Sequence, residues 1–180
     1  KLLHLALTPD GKYRRYTPLA EISPALIEAT LTLEDRHFYD HPGVNPLSML
    51  RAAWGVVSGS ARGGGSTITM QLARLRYDQH TRTPWGKAWQ MLRAVQIEKH
   101  HSKDDILEAY LNQAPYGGNV EGVGAAGLLW CGKPAKELTL REAVALSVLP
   151  QSPTTRRPRM TGDNASLAAA QHRLWDRLRE

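Results

Sequence analysis

Apolar positions recur at helical spacing along nearly the whole chain, and only its first residues alternate. Leu3, Leu5 and Leu7 stand at every second position before Pro9-Asp10-Gly11, which predicts a short strand running into a turn. Ser23-Pro24 then reads as an N-cap with proline in the first helical position. Ile22, Leu26, Ala29 and Leu33 make one apolar face that ends near Glu34. Asn45-Pro46 repeats the device ahead of a helix striped by Leu47, Leu50, Trp54 and Val57 and widened by Met49, Ala53 and Val56, so most of its circumference is apolar. Thr83-Pro84 opens a helix to about His100, with Lys87, Gln90, Ala94 and Glu98 on one side and Ala88, Leu92 and Val95 predicted to face the core. Ser102 with Asp105 resembles a capping box ahead of Ile106, Leu107, Tyr110 and Leu111. Gly117-Gly118 breaks the pattern, Val123 to Trp130 is a small-residue helix with Gly132 as its C-cap, and Thr139 with Glu142 is a second capping box. The helix behind that box stops at Pro150. After a loop carrying Arg156, Arg157 and Arg159, a last amphipathic helix uses Leu167, Leu174 and Leu178.

The pattern is that of a mainly helical protein. With 180 residues, 42% of them apolar, residues 1–180 can bury a sizeable core and are expected to form one domain. The net charge of +6 favours an anionic partner such as a phosphate ester, a membrane surface or nucleic acid. No interleaving of aromatic and basic residues supports nucleic acid. Cys131 is the single cysteine, which excludes an intrachain disulfide. No run reaches the roughly 18 apolar residues of a membrane span, and no leader precedes Lys1, so the chain is read as soluble or as a fragment of a longer protein.

Two stretches carry chemistry. Glu34-Asp35 closes an apolar-faced helix, with Phe38 and His41 close behind, and a carboxylate held beside apolar groups is suited to take or give a proton near neutral pH. Read alone, the pair is an ordinary solvated helix end before it is anything else, and His41 is a structural hydrogen-bonding residue rather than a ligand; the apolar setting ahead of Glu34 is what raises the functional reading. Metal binding is not supported: no second His or Cys sits at ligand spacing, and adjacent His100-His101 cannot share a helix face. The second stretch, Gly63-Gly64-Gly65-Ser66-Thr67, is either a flexible loop or an anion cradle in which glycine amides and a helix start approach an oxyanion. It lacks the Gly-Lys-Ser/Thr ending of a Walker loop.

Taken together and in order, these residues resemble a known family. Glu34-Asp35 with Phe38, His41 and Gly43 comes first, then Gly64-Gly65-Ser66-Thr67-Ile68-Thr69 with Gln71. Ser102-Lys103 with Ile106-Leu107 and Tyr110-Leu111-Asn112 follows, then Gly122 with Ala125-Ala126 and Gly132-Lys133. The set is similar to the peptidoglycan glycosyltransferase domain of class A penicillin-binding proteins, from about Thr8 to Pro158. Met70 and the run Ala114-Pro115-Tyr116-Gly117-Gly118 look most like the PbpC branch of that class. The resemblance implies a lysozyme-like, two-lobed helical fold around a cleft, acting on lipid II and the growing glycan chain. It implies that Glu34 is the base on the acceptor hydroxyl, that polyprenyl pyrophosphate leaves with inversion, and that Lys87 binds the pyrophosphate. Asp35, Phe38, Ser66, Thr67, Gln71, Tyr110 and Asn112 fall on its substrate-binding motifs, with Tyr110 and Asn112 on one that is partly structural. No cofactor is implied, with room for stimulation by a divalent cation. The implied location is the outer, periplasmic face of the bacterial cytoplasmic membrane, near other cell-wall synthesis proteins. Full-length members add a transmembrane helix before this domain and a transpeptidase domain after it.

Three positions depart from the family's pattern. Gln90 stands at a catalytic position where most members have a second glutamate, Gly86 where they have arginine, and Leu75 where they have asparagine. Glutamine cannot give or take a proton at neutral pH. Glu98 is two turns on, about 11 Å of rise, too far to stand in for it. The departures leave three readings: a branch working with one carboxylate, a slow domain, or a lipid II-binding module without turnover. A lysozyme-like enzyme cutting glycan is a fourth. By the same resemblance, residues 45–62 form a hydrophobic jaw that faces the membrane, with Arg51 and Arg62 near lipid phosphates, whereas in a generic protein the segment is plain core.

Overall fold

A computed structural model describes residues 7–46, 65–77, 83–158 and 164–179. The predicted helix from Asn45 to Val57, the rest of the 45–62 jaw, Leu3, Leu5, Gly63, Gly64 and Arg159 fall outside the described residues, apart from Asn45 and Pro46. The chain forms two compact units, one of residues up to Leu33 and from Leu111 on, the other Glu34–Tyr110.

In the first unit a turn closes between Thr8 and Lys12, with Gly11 at φ 75°. The strand β1 (Tyr13–Arg14) follows that turn; of the strand expected before it, residues up to 6 lie outside the described residues, and Leu7 is exposed and in no strand. β1 pairs in parallel with β2 (Val120–Glu121), Tyr13 opposite Val120 and Arg14 opposite Glu121. A strand this short leaves no alternation to read, and its partner is distant in sequence. Lys12 and Arg14 both pair with the Glu121 carboxylate and hold its pKa below the ordinary value.

Helix α1 (Pro24–Glu34) starts at proline as expected and buries Leu26 and Ala29. The Ser23 hydroxyl donates to Leu138 O at 2.9 Å, fastening the approach to α1 instead of its first turn. Next in the second unit come α2 (Ile68–Tyr77) and α3 (Pro84–His100), which pack along one another. Thr83 caps α3 by accepting from Gly86 N–H. The side of α3 predicted to face the core is only half-buried at Ala88 and Val95 and 47% exposed at Leu92, while Gln90, Ala94 and Ile97 are buried. A polar residue goes inward here because its donors and acceptors find partners on α2 and α3. Ser102 and Asp105 form the expected box at the start of α4 (Lys103–Gln113), which buries Ile106, Leu107 and Tyr110.

Back in the first unit, α5 (Val123–Ala126) is built of small residues for a visible reason. A Cβ on Gly124 would lie 2.1 Å from Thr17 Oγ1 and 2.6 Å from Arg15 O. A π-helical turn, Gly127–Cys131, continues it to Gly132 at φ 71°, the predicted C-cap. The capping box of Thr139 and Glu142 starts α6 (Leu140–Ser147), and α7 (Ala165–Arg179) begins behind Asn164, whose Oδ1 accepts from Leu167 N–H. Ala29, Val144, Val148, Ala170 and Leu174 form a core, with Leu33, Leu167, Trp175 and Leu178 packed against it. Arg156 is spent on the end of this region, donating to Val148 O at 2.8 Å and Gln151 Oε1 at 3.0 Å.

Candidate active site

The site is built where α1 ends. Beyond Glu34 the chain turns back through a short 3-10 segment, Phe38–Asp40, to Gly43 at φ 86°. A Cβ on Gly43 would lie 2.8 Å from Glu98 Cγ and 2.9 Å from Ala94 O, so the loop reaches α3 only with glycine there. Asp35 points inward. Its two carboxylate oxygens each stand 3.0 Å from His41 Nε2, and Oδ2 also accepts from Ile68 N–H at 3.1 Å. His41 Nδ1 accepts from Gly43 N–H at 3.2 Å, which assigns the ring proton to Nε2 and makes that nitrogen the donor to Asp35. His41 is therefore a structural hydrogen-bonding residue, as the sequence reading expected.

The start of α2 is thus filled from within. Asp35 supplies a negative charge where the helix dipole favours one. Thr67, fully turned inward, donates to Gly43 O at 2.6 Å and accepts from Met70 N–H at 3.1 Å, the arrangement of an N-cap. Of the anion cradle expected at 63–67, residues 65–67 are described, and of the helix start behind them the amides of Ile68 and Met70 are occupied by Asp35 and Thr67. Replacing Asp35 with alanine leaves two buried donors, His41 Nε2–H and Ile68 N–H, without acceptors. A loss of about 2–5 kcal/mol of stability is expected, since each unsatisfied buried donor costs ~1–3 kcal/mol. Urea unfolding would show it as a lowered midpoint with unchanged slope. An unchanged midpoint would assign this carboxylate to a ligand instead of to the fold.

Glu34 is partly buried, and its Oε2 accepts from Gln71 Nε2 at 2.6 Å. Gln71 Oε1 in turn accepts from the Tyr110 hydroxyl at 3.3 Å. The tyrosine, 1% exposed, fixes the amide, and the amide fixes which way the carboxylate faces. Four residues ahead of Gln71 on α2 is the cap Thr67, and just before that is Ser66, whose hydroxyl accepts from Lys87 Nζ at 2.5 Å. Lys87 also donates to Gln90 Oε1 at 3.0 Å, and Gln90 Nε2 donates to Met70 O at 2.6 Å. Burial, and secondarily the like charge of Arg74, pushes the Lys87 ammonium below the ordinary 10.5. Glu34 through Gln71, and Lys87 through Ser66 and Gln90, are both moored to residues 66–71.

A second network was missed in the sequence. Glu98 Oε1 accepts from Thr69 Oγ1 at 2.5 Å and Lys103 Nζ at 2.8 Å. Lys103 also donates to His41 O at 2.6 Å and stands 4.4 Å from the centre of the buried Phe38 ring. Phe38 and Glu98 therefore brace the loop that presents Glu34. The spacing of Ser102-Lys103 behind the helix end was a signal for a cap, not for a cation reaching back to a distant loop.

Of the residues predicted for the site, Glu34, Asp35, Phe38, Ser66, Thr67, Gln71, Lys87, Gln90 and Tyr110 lie in the second unit. Asn112 lies in the first, where its amide accepts from Thr17 N–H and donates to Thr17 O, both at 2.8 Å. Gly86 lies on α3 and Leu75 on α2, half-buried. Among the described residues no three His, Cys, Asp or Glu side chains gather to hold a metal ion, and no helix is long and apolar enough to cross a membrane.

A glutamate on an amide relay and a half-buried lysine on the oxygens of Ser66 and Gln90 are thus both tied to residues 66–71, a proton acceptor and a cation held by one segment. Residues 3–178 match the transglycosylase family, and the chain belongs to it. It is 45% identical over 170 residues to penicillin-binding protein 1C of Escherichia coli (strain K12), covering 94% of this chain and 22% of that protein. It is 39% identical over 156 residues to penicillin-binding protein 2D of Bacillus subtilis (strain 168), and 40% over 157 residues to penicillin-binding protein 1A of E. coli K12. Both of those alignments cover 86% of this chain, but they take in 22% and 18% of the relatives. The chain therefore spans about a fifth of the length of the relatives it matches.

Proposed function

We propose that this domain is a peptidoglycan glycosyltransferase that polymerises lipid II into glycan strands. The observation that carries the reading is the mooring of Glu34 and Lys87 to one short segment, residues 66–71, by Gln71, Ser66 and Met70. In this reading Glu34 takes the proton of the acceptor sugar hydroxyl as its oxygen attacks the donor's anomeric carbon. The bond from that carbon to the polyprenyl diphosphate breaks, the electron pair leaves with the diphosphate, and the configuration inverts. Lys87, with Arg74 near it, meets the charge that develops on the departing group. Asp35, Phe38 and Tyr110 act as supports of this arrangement, since their polar atoms or rings are engaged within the protein, while Asn112 is engaged with Thr17. Ser66, Thr67 and Gln71 hold the segment that both reacting ends share. No cofactor is needed, and a divalent cation adds only further countercharge for the diphosphate.

Incubation of the chain with lipid II in detergent tests this directly. Glycan polymer supports it. Reducing or anhydro ends released from mature peptidoglycan, without polymer, would favour the glycan-cleaving reading. Tight binding of a lipid II analogue with no turnover would select the non-catalytic reading, which Gln90 motivates because it has no proton to exchange.

The same reading makes residues 45–62 a jaw in the outer leaflet of the cytoplasmic membrane, where the lipid tail enters and other cell-wall synthesis proteins are met. A triple variant Leu50→Ser, Trp54→Ser, Val57→Ser is expected to lose most sedimentation with liposomes, because each apolar side chain withdrawn from the interface forfeits about 1.5–3 kcal/mol. Unchanged partition would remove the jaw.

A further inference from the structure

Glu34 ends α1 and Gln71 stands on α2, so their 2.6 Å contact holds only while the two elements keep their spacing. A second set of bonds fixes that spacing from behind. On the side of Glu34, Lys103 Nζ donates to His41 O at 2.6 Å, and the His41 ring stands 3.0 Å from the carboxylate of Asp35, the next residue after Glu34. On the side of Gln71, Thr69 Oγ1 donates to Glu98 Oε1 at 2.5 Å, two residues away along α2. The sides join where Lys103 donates to that same Glu98 oxygen at 2.8 Å. From Glu34 the contacts thus run through Gln71 and α2 to Glu98, and through Lys103 and His41 back to Asp35, a closed circuit.

The start of α4 is built to make this connection. Ser102 and Asp105 cap the helix, while the two residues between them reach the loop: Lys103 at His41 O and over the Phe38 ring, and Asp104 by accepting from the Tyr39 hydroxyl at 3.0 Å. A cap alone makes no use of either.

We propose that Lys103, held by Glu98, is a positioning residue for the base, fixing the loop of residues 38–43 against α2 so that Glu34 stays aimed on Gln71. The inference rests on reading Glu34 as the base and adds what aims it. Two direct ties between the loop and α2 remain without the pair, Asp35 on Ile68 N–H and Thr67 on Gly43 O, so its loss shifts Glu34 instead of releasing it. Reacting geometry is sensitive on that scale, since a misplacement of about 1 Å can cost roughly 10²-fold in rate.

The test compares the whole chain as wild type, Lys103→Met and the double variant Lys103→Met with Glu98→Gln, using lipid II in detergent. Lys103→Met strands a carboxylate whose side chain is 9% exposed, so it should unfold at lower urea than wild type. The double variant removes both charges and should regain most of that loss. Turnover should not follow stability. In both variants kcat is expected to fall about 10–100-fold with KM within about twofold, because the pair shapes the reacting geometry and does not touch substrate. A readout that needs no turnover is NMR of the Gln71 side-chain amide, which donates to Glu34 and should change its shift in the double variant.

Recovery of kcat together with stability in the double variant overturns the inference, as does a rise in KM at unchanged kcat or a Gln71 amide that does not move. Should Lys103→Met fail to fold, the double variant alone decides. A double variant that does not fold also overturns it, since the pair would then serve the fold and not the aim of Glu34. Equal polymer from wild type and double variant sinks the inference and leaves the glycosyltransferase reading standing. No polymer from wild type, with a shifted Gln71 amide in the double variant, does the reverse.

Discussion

Glu34→Gln should abolish detectable polymer, lowering kcat by about 10²–10⁴, the usual contribution of a positioned general base. The expected loss is chemical and not structural. Gln71 Nε2 donates to Glu34 Oε2, and a glutamine at that place can turn its own carbonyl oxygen to the same donor. The relay from Tyr110 through Gln71 then survives, and with it the local fold. What disappears is the capacity to take up a proton. Thermal unfolding should match wild type, and KM should change far less than kcat. Polymer formation within tenfold of wild type would show that the proton goes elsewhere.

Lys87→Met should cost about 10²–10³ in kcat, the scale for removing one preorganised donor to a developing negative charge. Its effect on stability should be small by comparison. Burial and Arg74 lower the folded-state pKa of Lys87 below 10.5, so the folded protein carries this charge at a cost that the unfolded chain does not bear. That cost is present at neutral pH and is relieved as pH rises through the folded pKa towards 10.5. Methionine removes it but leaves the buried Gln90 Oε1 without its donor, so the two changes offset and the variant should unfold at about the same urea concentration as wild type while failing to polymerise. For the same reason wild-type activity should decline on the alkaline side at a lower pH than an exposed lysine would impose. Lys87→Arg is not expected to rescue, because a planar guanidinium cannot place one nitrogen at both Ser66 Oγ and Gln90 Oε1 as the ammonium does. Lower stability with full activity in Lys87→Met would remove the anion-seat role.

The legible parts of the fold were those written locally. Pro24, Thr83, the Ser102 and Thr139 boxes and Gly132 mark helix ends through bonds spanning a few residues, and each stands where expected. The strand behind the turn and the buried side of α3 have a common cause. β1 exists because Val120 and Glu121 pair with it, and the inward face of α3 is chosen by Met70 O accepting from Gln90. Apolar spacing assigned Leu92 to the core, but a methyl-rich face can remain outside when a polar face finds all its partners inside.

The site divides the same way. Sequence alone determined the membership of the family and the helical class, because an ordered set of motifs survives without knowledge of any contact. Tertiary structure decided what each polar atom does. It turned Asp35 onto His41 and Ile68, made Thr67 a cap, placed Asn112 on Thr17 and Glu98 on Lys103, set Gln71 on Glu34 and put Lys87 on the oxygens of Ser66 and Gln90. The physical reason is that a buried donor or acceptor is settled by the partner that satisfies it across space, and no pattern along one chain encodes that partner.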